Sequence, residues 1–211
     1  MFKSVVILPA FCLSFCALQA GAAEVCASPN NLVQNCGFET GDFSGWTVSG
    51  DTANAGVDSF DAHTGSFGAF LAGFGSFNAG DTNYTFVEQT LATTPGREYT
   101  LSYFTAHFTN ANVTPDNVFA AGIDNLLIPS SLQVNVANVP YTGSAPYSFK
   151  AGSSSTLLSF LAEDANFDFS LDDVSVVASP EPASFWLVAP VLGVLALFWR
   201  GKRRTRTICR S

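Results

Sequence analysis

The chain has 211 residues, a length that suits one ordinary domain with short appendages. Between Glu24 and Ser179 only Arg97 and Lys150 are basic, against sixteen acidic residues, so this segment carries a net charge of −14. A body this acidic excludes nucleic-acid binding, because a basic face must neutralise phosphates, and it suits a soluble exported protein or a cation-binding protein.

Residues 1–23 have the pattern of a secretory signal peptide. Lys3 precedes the apolar run VVILPAFCLSFCAL, and the small residues QAGAA place a cleavage site after Ala22 or Ala23. An N-terminal membrane helix is the alternative, but the apolar run is shorter than the roughly 20 residues that a span needs. Lipidation at Cys16 is disfavoured by the bulky Phe15 before it.

Two cysteines, Cys26 and Cys36, follow the predicted cleavage site within ten positions of each other. An exported protein meets an oxidising compartment, so the spacing favours a disulfide over two free thiols. Closing a loop of this size would stabilise the fold by about 2–3 kcal/mol in the chain-entropy model.

The body between residues 30 and 178 is patterned for strands rather than helices. In YTLSYFTAHF, residues 99–108, Tyr99, Leu101 and Tyr103 fall on one face of a strand and Thr100, Ser102 and Phe104 on the other. The segments SLQVNVANV (131–139), STLLSFLAED (155–164) and FSLDDVSVV (169–177) also predict strands. TTPGRE (93–98) and TGSAPY (142–147) predict turns between them. The pattern predicts an all-β antiparallel sandwich.

The Gly- and Phe-rich segment before these strands predicts a strand over Ser66–Ala72 and a loop around Gly75–Asp81. Trp46 is predicted to lie in the core. His63 and His107 are the only histidines, and we expect them in a loop or on a strand surface.

The C-terminal segment contains seventeen uncharged residues, Ala183–Trp199, which would span about 26 Å as a helix. Six basic residues follow it: Arg200, Lys202, Arg203, Arg204, Arg206 and Arg210. They place that end in the cytoplasm by the positive-inside rule, so the acidic body lies outside the cytoplasm, against the inner membrane. Pro180 and Pro182 disfavour helix on the outer side and leave an extended, protease-accessible segment.

This tail resembles the PEP-CTERM sorting signal of Gram-negative bacteria. Pro180, Glu181 and Pro182 match the motif, the apolar segment follows, and Arg200, Lys202, Arg203 and Arg204 match the basic end. The resemblance implies processing by an exosortase, a membrane protease–transpeptidase, and delivery to the cell surface or the exopolysaccharide matrix. A permanent single-span anchor is the alternative. The longer end TRTICRS and Pro190 depart from the usual pattern.

The body is similar to galactose-binding-like jelly rolls, the fold of many carbohydrate-binding modules. The segments that carry this resemblance share their order and spacing with such domains: NLVQNCGFETGDFSGWTVSG, HTGSFGAFL, VEQTLATTPGREYTLSYFTA and FSLDDVSVV. The expected organisation is a signal peptide (1–23), a jelly-roll domain (24–178), and a sorting signal (179–211) with a transmembrane helix at 183–199 and a basic tail at 200–211.

The jelly-roll resemblance implies a structural calcium site with ligands at Glu39, the backbone near Gly65, and Asp172, with Asp173 able to replace Asp172. Calcium takes six to eight oxygen ligands, which carboxylates and carbonyls supply. The alternative is that Glu39 caps a turn and that Asp172 and Asp173 face solvent.

Sugar binding needs aromatic rings exposed in a cleft among polar side chains. Phe104 and Phe108 lie on the strand face opposite Tyr99 and Tyr103, so one of these pairs is a candidate platform; core packing is the alternative for both pairs. The sequence contains no Gly-x-Ser-x-Gly elbow and no His-Glu-x-x-His. We therefore expect a non-catalytic surface or matrix protein. A dedicated carbohydrate-binding module is the first alternative and a glycan-active enzyme the more distant one.

Overall fold

The computed structural model describes residue 26 and residues 28–73, 83–109, 116–164 and 166–180. Within these ranges the chain forms twelve strands and two short 3₁₀ turns, Thr52–Asn54 and Pro129–Ser131. The strands are β1 (Thr47–Gly50), β2 (Ala55–Asp58), β3 (Gly68–Leu71), β4 (Thr85–Ala92), β5 (Glu98–His107), β6 (Asn117–Ile123), β7 (Leu126–Leu127), β8 (Gln133–Val134), β9 (Val139–Gly143), β10 (Tyr147–Lys150), β11 (Ser155–Asp164) and β12 (Phe169–Ala178).

The strands form two six-stranded antiparallel sheets. The first sheet has the order β1-β4-β11-β6-β7, with β8 also paired to the outer side of β6. The second has the order β10-β5-β12-β3-β2, with β9 also paired to β5. The long strands β4 and β5, and again β11 and β12, are consecutive in the chain but lie in opposite sheets. The architecture is therefore an antiparallel β-sandwich of the jelly-roll type, as the sequence predicts.

The core lies between the sheets and follows from the alternation of side chains along each strand. On β11, Leu158 and Phe160 point inward and are fully buried. Phe160 meets Phe119 of β6 with ring centroids 6.1 Å apart, and Phe119 meets Phe169 of β12 at 5.3 Å. These aromatic contacts join the two sheets.

The segment from residue 28 to Trp46 packs along β12 before the first strand begins. The Asn31 side chain accepts the Val176 N–H at 2.9 Å and donates to the Val174 carbonyl at 3.1 Å. Trp46 is buried, stacks on Phe38 at 5.5 Å and donates its indole N–H to the Asn35 carbonyl at 3.2 Å. The prediction that Trp46 lies in the core is confirmed.

A disulfide joins Cys26 and Cys36 within this segment, with a Cα–Cα distance of 5.5 Å. That distance lies within the range usual for disulfides. The bridge ties the start of the described chain to Cys36, whose carbonyl accepts the Val174 N–H of β12 at 2.9 Å.

The strand predictions are confirmed at β5, β11 and β12. Burial alternates along Glu98–Phe104 of β5 and Ser155–Leu161 of β11, whereas β12 is buried on both faces from Phe169 to Val176. The prediction over residues 131–139 is wrong in extent, because only Gln133–Val134 forms a strand before β9. Asn135 adopts a positive φ of 51°, and its side chain accepts the Asn117 N–H at 3.4 Å. The chain therefore turns at Asn135, and Leu132 and Val134 are left exposed.

The strand predicted over Ser66–Ala72 forms between Gly68 and Leu71. Several predictions concern residues outside the described ranges. They are the signal peptide, the loop at Gly75–Asp81, the sorting-motif residues Glu181 and Pro182, the apolar segment 183–199 and the basic residues after it. In the part of the chain that is described, no helix has the length and apolar composition required to cross a membrane.

Candidate functional site

One long segment of the chain is free of charge although the body as a whole is strongly acidic. From Asn125 to Phe149 the sequence contains no Asp, Glu, Lys, Arg or His. This run supplies β7 and β8 at the edge of the first sheet and β9 and β10 at the edge of the second. The two sheet edges therefore form a continuous neutral side.

A cleft of about 220 Å³ opens on this neutral side, between the inner face of β5 and the segment Ile128–Gln133. Its walls combine aromatic, aliphatic and uncharged polar residues: Leu101, Tyr103, Thr105, Ile128, Ser130, Ser131, Gln133, Val139, Thr142, Gly143, Ser144, Ala145 and Tyr147. Its volume is below the roughly 300–1,000 Å³ of pockets for drug-sized ligands, so it suits a small unit rather than a large molecule.

Hydrogen bonds hold both walls of the cleft in place. On the first wall, the Ser131 hydroxyl accepts the Ala121 N–H at 2.8 Å and bonds the Ile128 carbonyl at 2.7 Å. On the second, Ser144 accepts the Tyr103 N–H on its hydroxyl at 3.0 Å and donates its own N–H to the Tyr103 carbonyl at 2.8 Å. These bonds fix the backbone of both walls and thereby the positions of the side chains that line the cleft.

The cleft stays neutral over the ordinary pH range. Burial raises the pKa of Tyr103 to about 12, and a hydrogen bond with Ser131 offsets only part of that effect. The Tyr103 hydroxyl consequently remains protonated, so it can donate as well as accept hydrogen bonds. Such a lining can bind an uncharged polar ligand through hydroxyl groups and aromatic rings.

The predicted glycan-binding pair, Phe104 and Phe108, lies outside this cleft on the outer face of the second sheet. Tyr99 and Tyr103 are the buried members of the alternation, so the phenylalanine pair is the one presented outward. The Phe104 ring stacks on His63 with centroids 3.9 Å apart and is therefore not free on that face. Phe108 is 47% exposed and contacts Tyr141 edge-on at 6.3 Å. A role for this pair in glycan binding stays a prediction.

The structure brings the predicted calcium ligands Glu39, Gly65 and Asp172 together around one loop. Glu39 accepts the N–H groups of Ser66 at 2.9 Å and Phe67 at 3.1 Å. Gly65 has a φ of +69°, and a Cβ at this position would lie 2.2 Å from a Glu39 carboxylate oxygen. The carboxylate thus lies directly against the loop backbone.

Asp172, on β12, binds the backbone of the same loop, residues 63–67. Its Oδ2 accepts the N–H groups of His63 at 2.8 Å and Thr64 at 3.1 Å, and its Oδ1 accepts the N–H of Asp173 at 2.7 Å. Burial raises the pKa of Asp172 to about 7 although these bonds favour the charged form. Asp172 is fully buried, so the expectation that it faces solvent is wrong.

Asp173, the alternative ligand, is also buried and sits at an irregularity in β12 with a φ of 50°. Its carboxylate bonds His63 Nδ1 at 2.7 Å and accepts the Thr64 hydroxyl at 2.8 Å. The β12 carboxylates therefore hold the loop 63–67 over the second sheet, and the solvent-facing alternative fails for Asp173 as well.

In this arrangement backbone N–H groups bond the carboxylate oxygens of Glu39 and Asp172, so a calcium ion would compete with these bonds. Among the described residues no group of three or more His, Cys, Asp or Glu side chains is placed to hold a metal. Calcium binding stays a prediction that titration can decide.

A second acidic group lies where the loop after β2 meets β12; Asp61 is buried there, and Asp58 and Asp168 are partly buried. The Asp61 carboxylate accepts the Ser170 hydroxyl, and its backbone carbonyl accepts the Tyr141 hydroxyl at 2.5 Å. Burial is the main cause that raises the pKa of Asp61 to about 7, with repulsion from Asp168 and Asp58 adding to it.

The expectation that His107 lies in a loop or on a strand surface is wrong, because its side chain points into the core. His107 Nε2 bonds Asp164 Oδ2 at 2.5 Å, and both side chains are buried. Asp164 also accepts the N–H groups of Asn166 at 2.9 Å and Phe167 at 3.0 Å. The pair joins β5 of one sheet to β11 of the other and is structural, whereas His63 lies in a loop as expected.

No known protein-family model matches the sequence, and no curated protein matches it either. Solved structures with a similar backbone include carbohydrate-binding modules. One is TmCBM61 in complex with β-1,4-galactotriose, at 17% identity and a TM-score of 0.47, covering 71% of this chain and 99% of that one. Another is the C-terminal family 22 module of Clostridium thermocellum Xyn10B, at 16% identity and a TM-score of 0.49, covering 71% and 94%.

An enzyme domain also has a similar backbone. The enzymatically active domain of bacteriophage CBA120 tailspike protein 4 matches at 14% identity and a TM-score of 0.48, covering 71% of this chain and 22% of that one.

Proposed function

We propose that the jelly-roll body is a non-catalytic carbohydrate-binding module of an exported protein, and that the cleft on its neutral side receives one sugar unit of a polysaccharide. The observation that carries the proposal is the lining of the cleft. Tyr103 and Tyr147 supply aromatic groups, and Ser130, Gln133 and Thr142 supply uncharged hydrogen-bonding groups. Sugars are bound by this combination, because the CH faces pack on rings while the hydroxyls bond polar side chains.

The surroundings of the cleft support a polymer as the ligand rather than a free monosaccharide. Leu126 is 73% exposed on the same edge, and Leu127, Leu132 and Val134 are exposed beside it. Exposed apolar groups next to a cleft mark an interaction surface. A chain with one unit in the cleft could extend over this edge, whose segment from Asn125 to Phe149 carries no charge.

A glycan array probed with the full chain tests the proposal, followed by calorimetry with the best-bound glycan. Tyr147→Ala and Gln133→Ala are each expected to weaken binding by about tenfold or more, as central contacts do. Phe60→Ala is the matched control, because Phe60 is 91% exposed and lies outside the cleft. The proposal fails if the cleft variants bind as tightly as Phe60→Ala. Weakening by Phe108→Ala alone would move the site to the Phe104–Phe108 pair.

We further propose that the protein reaches the cell surface or the exopolysaccharide matrix by the sorting route that its tail resembles. An exosortase-type enzyme would cut near Pro180, Glu181 and Pro182 after the apolar segment has held the chain at the inner membrane. Pro180 is exposed two residues after the end of the last strand, which supports access by a protease. Mass spectrometry of the secreted and membrane fractions tests this route, and intact residues 183–211 on the mature surface protein would contradict it.

A further inference from the structure

The two basic residues of the acidic body, far apart in the sequence, lie together at one end of the sandwich. Lys150 pairs with Glu98 across β10 and β5, and Glu98 directly follows Arg97 in the chain. The Ala151 N–H donates to the Arg97 carbonyl at 3.0 Å, and the Gly96 N–H donates to the Ala151 carbonyl at 2.8 Å. The turns 93–97 and 151–154 are thereby fixed side by side and form what we name the basic end.

Both cations are exposed and available to a partner. In the described ranges the ion pairs are those of His63 and His107, and neither involves Arg97 or Lys150. Glu98 and Asp124 lie at the same end, so the two cations bring its net charge to zero, against −14 for the body as a whole. Among the described residues, the acids at the opposite end of the strands include Asp51, Asp116, Asp164 and Asp168. The two ends are separated by the length of β12, roughly 30 Å, well beyond the Debye length of about 8 Å.

The chain leaves the sandwich at the basic end. β12 is paired with β5 as far as Ala178 opposite Tyr99. Ser179 then donates its N–H to the Glu98 carbonyl at 2.9 Å, and its hydroxyl bonds that of Thr100 at 3.0 Å. The apolar run begins at Ala183, so few residues separate the folded sheet from it. An inserted apolar segment would therefore hold this end close to the lipid.

An open groove of about 440 Å³ lies at the same end, lined by Arg97 together with uncharged residues that include Asn30, Thr94 and Tyr99. Ala178, almost the last residue of the body, lines it as well. We propose that the basic end is a membrane-facing surface on which Arg97 and Lys150 contact the headgroups of anionic phospholipids. In this orientation the opposite end of the strands, which carries Asp51, Asp116, Asp164 and Asp168, and the neutral side with its cleft are directed away from the bilayer.

This inference rests on the predicted membrane segment of the tail and not on glycan binding. The test uses the full chain reconstituted in vesicles of phosphatidylcholine with or without phosphatidylglycerol, with a fluorescent residue at one of two positions. Gly152 lies at the basic end, where a side chain would extend into open space because no heavy atom lies within 4 Å of its Cβ position. Exposed Asn166 lies at the opposite end. Quenching by spin-labelled headgroups then measures which end approaches the bilayer.

We expect strong quenching at Gly152 and weak quenching at Asn166 in anionic vesicles, with the difference reduced by salt. Arg97→Gln with Lys150→Gln is expected to lower the population of the docked orientation about tenfold, since each basic residue near an anionic surface contributes to binding. The matched control, Arg97→Lys with Lys150→Arg, keeps both charges and should retain the difference.

Equal quenching at the two positions, or a difference that survives in the doubly neutral variant, would overturn the inference. Failure of every variant to associate with vesicles would overturn it too, while leaving the cleft to be judged by calorimetry. Glycan affinity should be unchanged in the doubly neutral variant, because neither side chain lines the cleft. Loss of glycan affinity there would assign the basic end to the polysaccharide instead and refute the lipid contact.

Discussion

Ser131 is expected to hold together both the edge of the first sheet and one wall of the cleft. Its hydroxyl accepts the Ala121 N–H at 2.8 Å and bonds the Ile128 carbonyl at 2.7 Å, and Ser131 and Ala121 are both buried. Ser131→Ala would leave the Ala121 N–H without an acceptor in the interior. The Ala121 carbonyl still accepts the Ile128 N–H at 2.9 Å in this variant, so only the Ala121 N–H loses its partner.

A buried donor left without a partner costs about 1–3 kcal/mol. For a domain of this size a loss of 1 kcal/mol lowers the melting temperature by roughly 2–4 °C. We therefore expect Ser131→Ala to lower the free energy of unfolding by about 1–3 kcal/mol in urea titrations followed by intrinsic fluorescence. Binding of the glycan should weaken as well, because the same side chain lines the cleft.

Ser130→Ala is the matched control, since Ser130 is exposed on the adjacent position of the same 3₁₀ turn. Its effect on stability should stay within about 0.5 kcal/mol, as is usual for surface substitutions. The reasoning is refuted if Ser131→Ala and Ser130→Ala have equal free energies of unfolding.

Four further measurements test the buried acids and the predicted calcium site. His107→Gln removes one partner of the buried His107–Asp164 pair and should destabilise the fold by about 3–5 kcal/mol; an unfolding free energy equal to that of the exposed control Phe108→Leu would contradict this. Burial alone would raise the pKa of Asp164, but hydrogen bonds from His107, Asn166 and Phe167 outweigh it and hold the pKa below its ordinary value of 3.8. The stability that Asp164 contributes is therefore present above about pH 4 and lost as the pH falls through the lowered pKa, so Asp164→Asn should flatten that acid limb. Asp61 has its pKa raised to about 7 by burial, so the folded state binds more protons, and stability should fall as the pH rises from about 4 to 7. Asp61→Asn should reduce this slope in urea titrations at stepped pH, and an unchanged slope would show that Asp61 does not cause it. Calcium should leave the melting temperature unchanged, because backbone N–H groups bond the carboxylates of Glu39 and Asp172; a rise that Glu39→Gln abolishes would restore the calcium hypothesis.

The sequence predicts β5 and β11 because most of each strand is buried on one face, so burial follows the alternation of side chains. Both strands run for ten residues, and their inward positions are apolar often enough to indicate the correct face. β12 is buried on both faces from Phe169 to Val176, so alternation does not report which of its faces meets the core. The segment 131–139 shows equally good alternation, yet Leu132 and Val134 are exposed. There the side chain of Asn117, on a strand distant in the sequence, accepts the Val136 N–H at 3.0 Å, and local pattern cannot report such a bond.

The candidate site is only partly predictable for the same reason. The motifs around Glu39, Gly65 and Asp172 indicate residues that do meet, although they meet through backbone N–H groups that no side-chain pattern encodes. The cleft escapes prediction because its walls come from β5 and from segments that carry no motif. The uncharged run from Asn125 to Phe149 is the available indication, since such a run is unusual in a body with a net charge of −14.

The short strands on the outer side of β6 have a consequence for behaviour at high local concentration. β8 pairs with Val118 and Phe119, β7 pairs with Gly122 and Ile123, and Ser131 bonds Ala121 between them. Asn135 closes the start of the strand by donating its N–H to the Asn117 carbonyl at 2.9 Å. An open edge would template strand addition from a neighbouring molecule and lead to fibrous polymerisation. With this edge closed within the chain, molecules crowded together cannot add a strand to one another along β6.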